Sequence, residues 1–169
     1  MSFKLEKCCL RNTRLGILKD IRVCIDNVGG VYDDKRIILL SGVAGSGKSA
    51  IAHSIAFHYV DIGVPVSSFF FSESNKQDSS PVNLIRNIAR DLADKIPQYR
   101  TELCHTLESD LALCTTPSIA RQFELFIEKP LKNITVEGLI VIVIDAFDEC
   151  DKEGDGRGGC DLLFRLALE

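Results

Sequence analysis

Residues 37–49 read Ile-Ile-Leu-Leu-Ser-Gly-Val-Ala-Gly-Ser-Gly-Lys-Ser, an apolar run that breaks into three glycines and a Lys-Ser pair. Gly42, Val43, Ala44, Gly45, Ser46, Gly47, Lys48 and Ser49 match the pattern GxxxxGK[ST] in full. Ile37–Leu40 precedes the match, and Ile51, Ala52, Ile55, Ala56 and Tyr59 recur at helical period after it as far as Gly63. The spacing therefore predicts strand, loop, helix. In that setting the glycines let successive backbone N–H groups converge on phosphate at the positive end of a helix. Lys48 would reach the β- and γ-phosphates of a nucleotide, and Ser49 would place its hydroxyl on Mg2+.

A magnesium-bearing carboxylate belongs at the tip of a buried strand, and Asp145 stands there, directly after Leu139–Ile144. That β-branched run lacks alternation, the pattern of a strand covered on both faces of a parallel sheet. Asp148 and Glu149 follow by three and four residues, where either can orient or deprotonate an attacking water, Glu149 being the first choice. Between the two motifs, Val66–Phe71 reads as a strand and residues 72–80 as a loop. Helices are expected from Pro81, carrying Ile85, Ile88, Ala89 and Leu92, and from Pro97, carrying Tyr99, Leu103 and Leu107. Thr116-Pro117 is expected to cap a further helix with Ile119, Phe123, Phe126 and Ile127, ended by Pro130. Upstream, residues 12–28 form an amphipathic lead-in helix closed by Gly29 and Gly30, and Leu162–Leu168 reads as a last helix after a glycine-rich charged loop.

Composition narrows the function classes. The chain has 169 residues, 46% hydrophobic and 26% charged, which suits one globular domain. Its net charge of −4 argues against a backbone-reading nucleic-acid module. The longest apolar run, the six residues Leu139–Ile144, is far short of the roughly 18 that span a bilayer, and the charged N-terminus is unlike a secretory signal. A cytoplasmic address follows, so most of the seven cysteines, which form no CxxC pair, read as small buried hydrophobes. Asn75–Asp78 fits NKxD and Asp155–Gly158 fits DxxG, but in the reverse of the guanine-reading order. A calcium loop from Asp151 fails at its twelfth position, Leu162. His53 and His58, five residues apart, do not share a helix face, and no partner is indicated for a catalytic cysteine.

The stretches GVAGSGKSAIAHSIA (42–56), SSFFFSES (67–74), RQFELFIEKPL (121–131) and VIVIDAFDEC (141–150) together resemble the NACHT NTPase domain of STAND signalling ATPases, in its fungal nephrocystin-3-like N-terminal form. Ala146 after the aspartate and the acidic pair three residues on are the most specific element. Asn12-Thr13-Arg14 is similar to the family's Gly-Thr-Arg lead-in, with Cys24 at the place of its tryptophan. The resemblance implies an α/β, three-layer P-loop NTPase with a mainly parallel sheet, comprising a lead-in helix over 1–30 and the NTPase module over 31–169. It implies Mg2+ with ATP or ADP as cofactors, held by Gly42–Ser49 and Asp145, and a switch that exchanges ADP for ATP, self-associates beside effector and sensor domains, and hydrolyses slowly. The family's sensor strand, inserted between the strands of its two nucleotide motifs, has no counterpart here, so a C-terminally truncated domain with weak or no turnover is expected. A hydrolysis-deficient binding or self-association module and a small-molecule P-loop kinase are the alternatives.

Overall fold

The computed structural model describes residues 3–27, 37–72, 80–109, 118–136 and 138–149. In chain order the elements are α1 (Leu15–Asp26), α2 (Lys48–Asp61), β1 (Val66–Phe70), α3 (Pro81–Lys95), α4 (Pro97–Ser109), α5 (Ile119–Phe123), α6 (Lys129–Lys132) and β2 (Val141–Asp145). A π-helical turn, Glu124–Glu128, joins α5 to α6, and short 3-10 turns cover Leu5–Lys7 and Phe147–Glu149. The chain is thus an α/β protein whose described strands form one parallel pair, Val66 opposite Val141 and Phe70 opposite Asp145. A parallel pair needs a long crossover, and α3 to α6 supply it.

β1 is buried along its whole length, and its side chains alternate between two helical layers. Phe69 and Phe71 join Leu84, Ile85, Ile88, Leu92, Tyr99 and Leu125 on the α3 side. Val66 and Val141 meet Ile51, Ile55, Ala56 and Tyr59 of α2 on the other, with Leu18, Ile21 and Ile25 of α1 packed outside them. α3 is fastened to β1 by polar contacts as well, for Ser67 Oγ donates to Asp91 Oδ2 at 2.8 Å and Asn87 Nδ2 to the same oxygen at 2.9 Å. Ser80 caps α3, its hydroxyl accepting from the Asn83 N–H at 3.2 Å, ahead of Pro81 at the first helical position.

Five expectations are corrected. Ile37–Leu40 forms no strand: β1 and β2 pair with each other, no described strand flanks 37–40, and an apolar run without a ladder partner has no strand hydrogen bonds to make. Ile37, Ile38 and Leu39 are exposed. Nor is β2 covered on both faces; Ile142 and Ile144, 45% and 39% exposed, share the face of Ser67 and Phe69, where the α3 layer covers β1 and stops short of β2. The lead-in helix runs from Leu15 to Asp26, shorter than the expected 12–28, because Asn12 and Arg14 take left-handed backbone (φ 62° and 55°) that cannot propagate a helix. Among the described cysteines none is buried: Cys24 and Cys104 are exposed, Cys8 and Cys9 half-buried, since α1 packs through Leu18, Ile21 and Ile25.

The last correction concerns Pro130, which lies inside a continuous helical run that ends only at Lys132. Its ring has no N–H for the carbonyl four residues back, that of Phe126. The π turn widens the helix just before it, with the Lys129 N–H donating to the Glu124 carbonyl, and the Tyr99 hydroxyl donates to the Phe126 carbonyl. Ser118, its hydroxyl accepting from the Arg121 N–H at 3.3 Å, caps α5; the expected cap Thr116-Pro117, the loop over 151–159 and the helix Leu162–Leu168 lie outside the described residues.

Candidate functional site

The glycine-rich loop has the backbone its sequence demands. Gly45 and Gly47 sit at φ 76° and 86°, values that side chains with a Cβ rarely adopt, and Gly47 is the residue from which α2 departs. A Cβ at Gly42 would press on Ser46 Oγ at 3.1 Å. The loop closes through the Ser46 N–H on the Val43 carbonyl at 3.2 Å. Lys48 turns back over it, its Nζ donating to the carbonyls of Gly42 at 2.7 Å and Val43 at 3.1 Å. Gly42 to Gly45 and Ser49 are exposed, and Ser46, Gly47 and Lys48 are half-buried.

Gly47 is also crowded from outside the loop. A Cβ there would lie 2.5 Å from the Arg14 guanidinium. Arg14 is delivered by the turn preceding α1, which is closed by Thr13: its N–H and its hydroxyl both donate to the Leu10 carbonyl, at 3.0 and 2.6 Å. The lead-in triplet was visible in the sequence, but nothing in its spacing showed that Arg14 would lie against the loop.

Asp145, half-buried, ends β2 on the face that looks toward α2, because the register puts it beside Phe70 in the alternation of Val66 and Ser68. Ala146 then takes φ 54°, and this left-handed step turns the chain into the 3-10 turn that carries Asp148 and Glu149, both exposed. The Glu149 N–H donates to the Ala146 carbonyl at 2.9 Å. α2, which opens at Lys48, and Asp145 thus belong to one side of the sheet, and the acidic pair lies just past the strand end. Among the described residues no group of three His, Cys, Asp or Glu side chains is placed to hold a metal ion, so a cation here would rest on one carboxylate, a hydroxyl and waters, a set magnesium accepts.

The packing that links these parts includes His53, whose spacing from His58 in the sequence excluded only a shared metal-binding face. It is 3% exposed on α2 and stacks on Phe70, ring centroids 3.9 Å apart and planes 13° off parallel. Its Nδ1 accepts from the Lys4 N–H at 3.1 Å. The N-terminal segment is tied down alongside, the Phe3 N–H donating to Ser68 Oγ at 3.2 Å and the Cys9 N–H to Ser54 Oγ at 2.8 Å.

Burial holds the His53 imidazole below its ordinary pKa, Lys7 adds to the shift, and Asp145 opposes it. As pH falls through about 6.5 the unfolded chain takes up this proton before the folded one does. Stability from neutral His53 is therefore full above that pH and is lost as pH drops toward the folded-state value. We expect the melting temperature to fall from pH 7.5 to 5.5, with a slope of at most about 1.4 kcal/mol per pH unit from this group, and to fall less in His53→Asn. An equal slope in the variant, measured by circular dichroism, would remove His53 as the cause.

With this geometry in view, comparison with known proteins is specific on one point. The family model described as nephrocystin 3, N-terminal, matches residues 29–167, most of the chain and all of the candidate site. The chain belongs to the nephrocystin 3 N-terminal family. No curated protein and no solved structure matches it. Within the nephrocystin 3 N-terminal region lie the glycine-rich loop, both described strands and the acidic turn, whereas α1 and Arg14 precede it. Among the described residues no helix is long and apolar enough to cross a membrane.

Proposed function

We propose that this chain is the nucleotide-binding switch module of a NACHT-type signalling protein, a three-layer P-loop NTPase unit that binds ATP or ADP with Mg2+ and hydrolyses ATP slowly. The observation that carries the reading is a complete GxxxxGKS loop with Gly45 and Gly47 in left-handed backbone at the start of α2, the helix packed on the side of the sheet to which Asp145 belongs. The residues suit such a ligand. Backbone N–H groups of the loop and the positive pole of α2 suit the phosphates, Lys48 supplies charge, and Ser49 and Asp145 suit Mg2+. Bound magnesium would neutralise charge on the β- and γ-phosphates. Asp148 and Glu149, exposed at the strand end, are the candidates to orient or deprotonate an attacking water, Glu149 first. Effector and sensor domains, and self-association, are the partners this reading implies.

One measurement tests the reading directly: titration of the chain with a fluorescent ATP analogue and Mg2+, with unlabelled ATP, ADP and GTP as competitors. Saturable binding displaced by ATP and ADP is expected, and its absence in a folded sample would overturn the proposal. Glu149→Gln is expected to keep that binding and to abolish phosphate release wherever the wild type shows it; unchanged release would sink the role of Glu149.

A second reading, nucleotide binding without turnover, is favoured by a specific feature. Ile142 and Ile144 of β2 are exposed, so the sheet next to the site is incompletely covered among the described residues, and Ile37, Ile38 and Leu39, which lead into the loop, are exposed as well. Turnover needs a nucleophile and loop held within fractions of an ångström. Binding with no phosphate release in wild type would select this reading.

A further inference from the structure

Two cations converge on the same pole of one helix. Lys48 opens α2, and the Arg14 guanidinium lies so close to Gly47, the residue before it, that a methyl group could not be inserted between them. The first turn of α2 is the positive end of its dipole, where a cation is disfavoured and an anion favoured. Neither side chain has a carboxylate partner among the described residues. The Lys48 ammonium is met by two loop carbonyls; the Arg14 guanidinium makes no hydrogen bond among the described residues, and the side chain is exposed. Two positive groups gathered at a positive pole are mutually repulsive until an anion separates them.

We propose that Arg14, outside the glycine-rich loop and 34 positions before Lys48 in the chain, is a second phosphate-binding residue of this site. The inference rests on the nucleotide reading of the loop and extends it to the lead-in. Its ligand is the polyphosphate itself, not the base, because the guanidinium is set against the loop at Gly47, where the N–H groups that bind phosphate begin. A planar guanidinium can donate two parallel hydrogen bonds to phosphate oxygens. The turn supports this by spending no flexibility there, since Thr13 binds the Leu10 carbonyl twice and α1 follows at once. Lead-in and loop would then close on one ligand, so that binding ties α1 to α2.

The test uses the whole chain and two probes, ADP and inorganic pyrophosphate, each with Mg2+, competing with a fluorescent nucleotide. Arg14→Gln is expected to weaken both by about tenfold, the worth of one charge-assisted contact, with Arg14→Lys recovering part of the loss. The melting temperature without ligand should not change, because the side chain is exposed and makes no cap hydrogen bond to α1. Loss of ADP binding with pyrophosphate unaffected would mean a contact to base or ribose and overturn the proposal. Binding that depends on Lys48 but is indifferent to Arg14 would overturn it while leaving the loop reading intact. A folded wild type that binds neither probe would overturn both.

Discussion

Lys48→Ala is expected to lower affinity for an ATP analogue by about a hundredfold or more, close to 3 kcal/mol, while leaving the fold intact. The loop is already shaped around the ammonium, which sits 2.7 Å from the Gly42 carbonyl and 3.1 Å from that of Val43. Its removal takes away a full positive charge at the mouth of α2, and the neutral methyl left behind offers phosphate nothing. Stability should change little. The carbonyls belong to exposed residues that water can satisfy, and alanine is a good residue in the first turn of a helix. Isothermal titration of wild type and variant, with melting curves alongside, checks both halves. Equal affinities would mean that the bound nucleotide is held somewhere other than this loop.

Tyr99→Ala is expected to cost about 3 to 5 kcal/mol, a large part of the roughly 5 to 15 kcal/mol that holds a domain folded. The ring is fully buried among Ile85, Ile88, Leu125 and their neighbours, so truncation leaves a cavity where α3, α4 and the π turn meet. The hydroxyl has a separate task, because Pro130 leaves the Phe126 carbonyl without the helical donor it would otherwise have. Burial drives the phenol pKa far above its usual value, so it remains a donor at every ordinary pH. Tyr99→Phe, which keeps the ring and orphans that carbonyl, should cost about 1 to 3 kcal/mol of the total. Urea unfolding of the two variants separates cavity from hydrogen bond. If Tyr99→Phe were as stable as wild type, the π turn would be satisfied without it.

How much of this was legible beforehand depends on how local each cause is. The helix starts at Pro81 and Pro97 were readable because proline at a first helical position acts within one turn. The glycines of the loop were readable for the same kind of reason: Gly45 and Gly47 are required where φ is positive, whatever surrounds them. Pro130 was misread because its usual effect is to stop a helix, whereas here a π turn precedes it and the hydroxyl of Tyr99, 31 positions earlier in the chain, meets the carbonyl it leaves unpaired. The Ile37–Leu40 run was misread because apolar character signals burial in a sheet, whereas a strand also needs a neighbour, and none is described beside it.

By itself, then, the sequence marked the residues proposed to bind phosphate and metal, Gly42–Ser49 and Asp145, because the chemistry proposed for them is carried by residue type at short spacing. It determined equally that the chain belongs with α/β proteins. Only the tertiary structure decided that Asp145 falls on the α2 side, through the register of β1 with β2, that His53 is buried and stacked against Phe70, and that Arg14 lies on Gly47. Those three facts join segments 17 to 75 positions apart, and packing, which no local pattern encodes, is what brings them together.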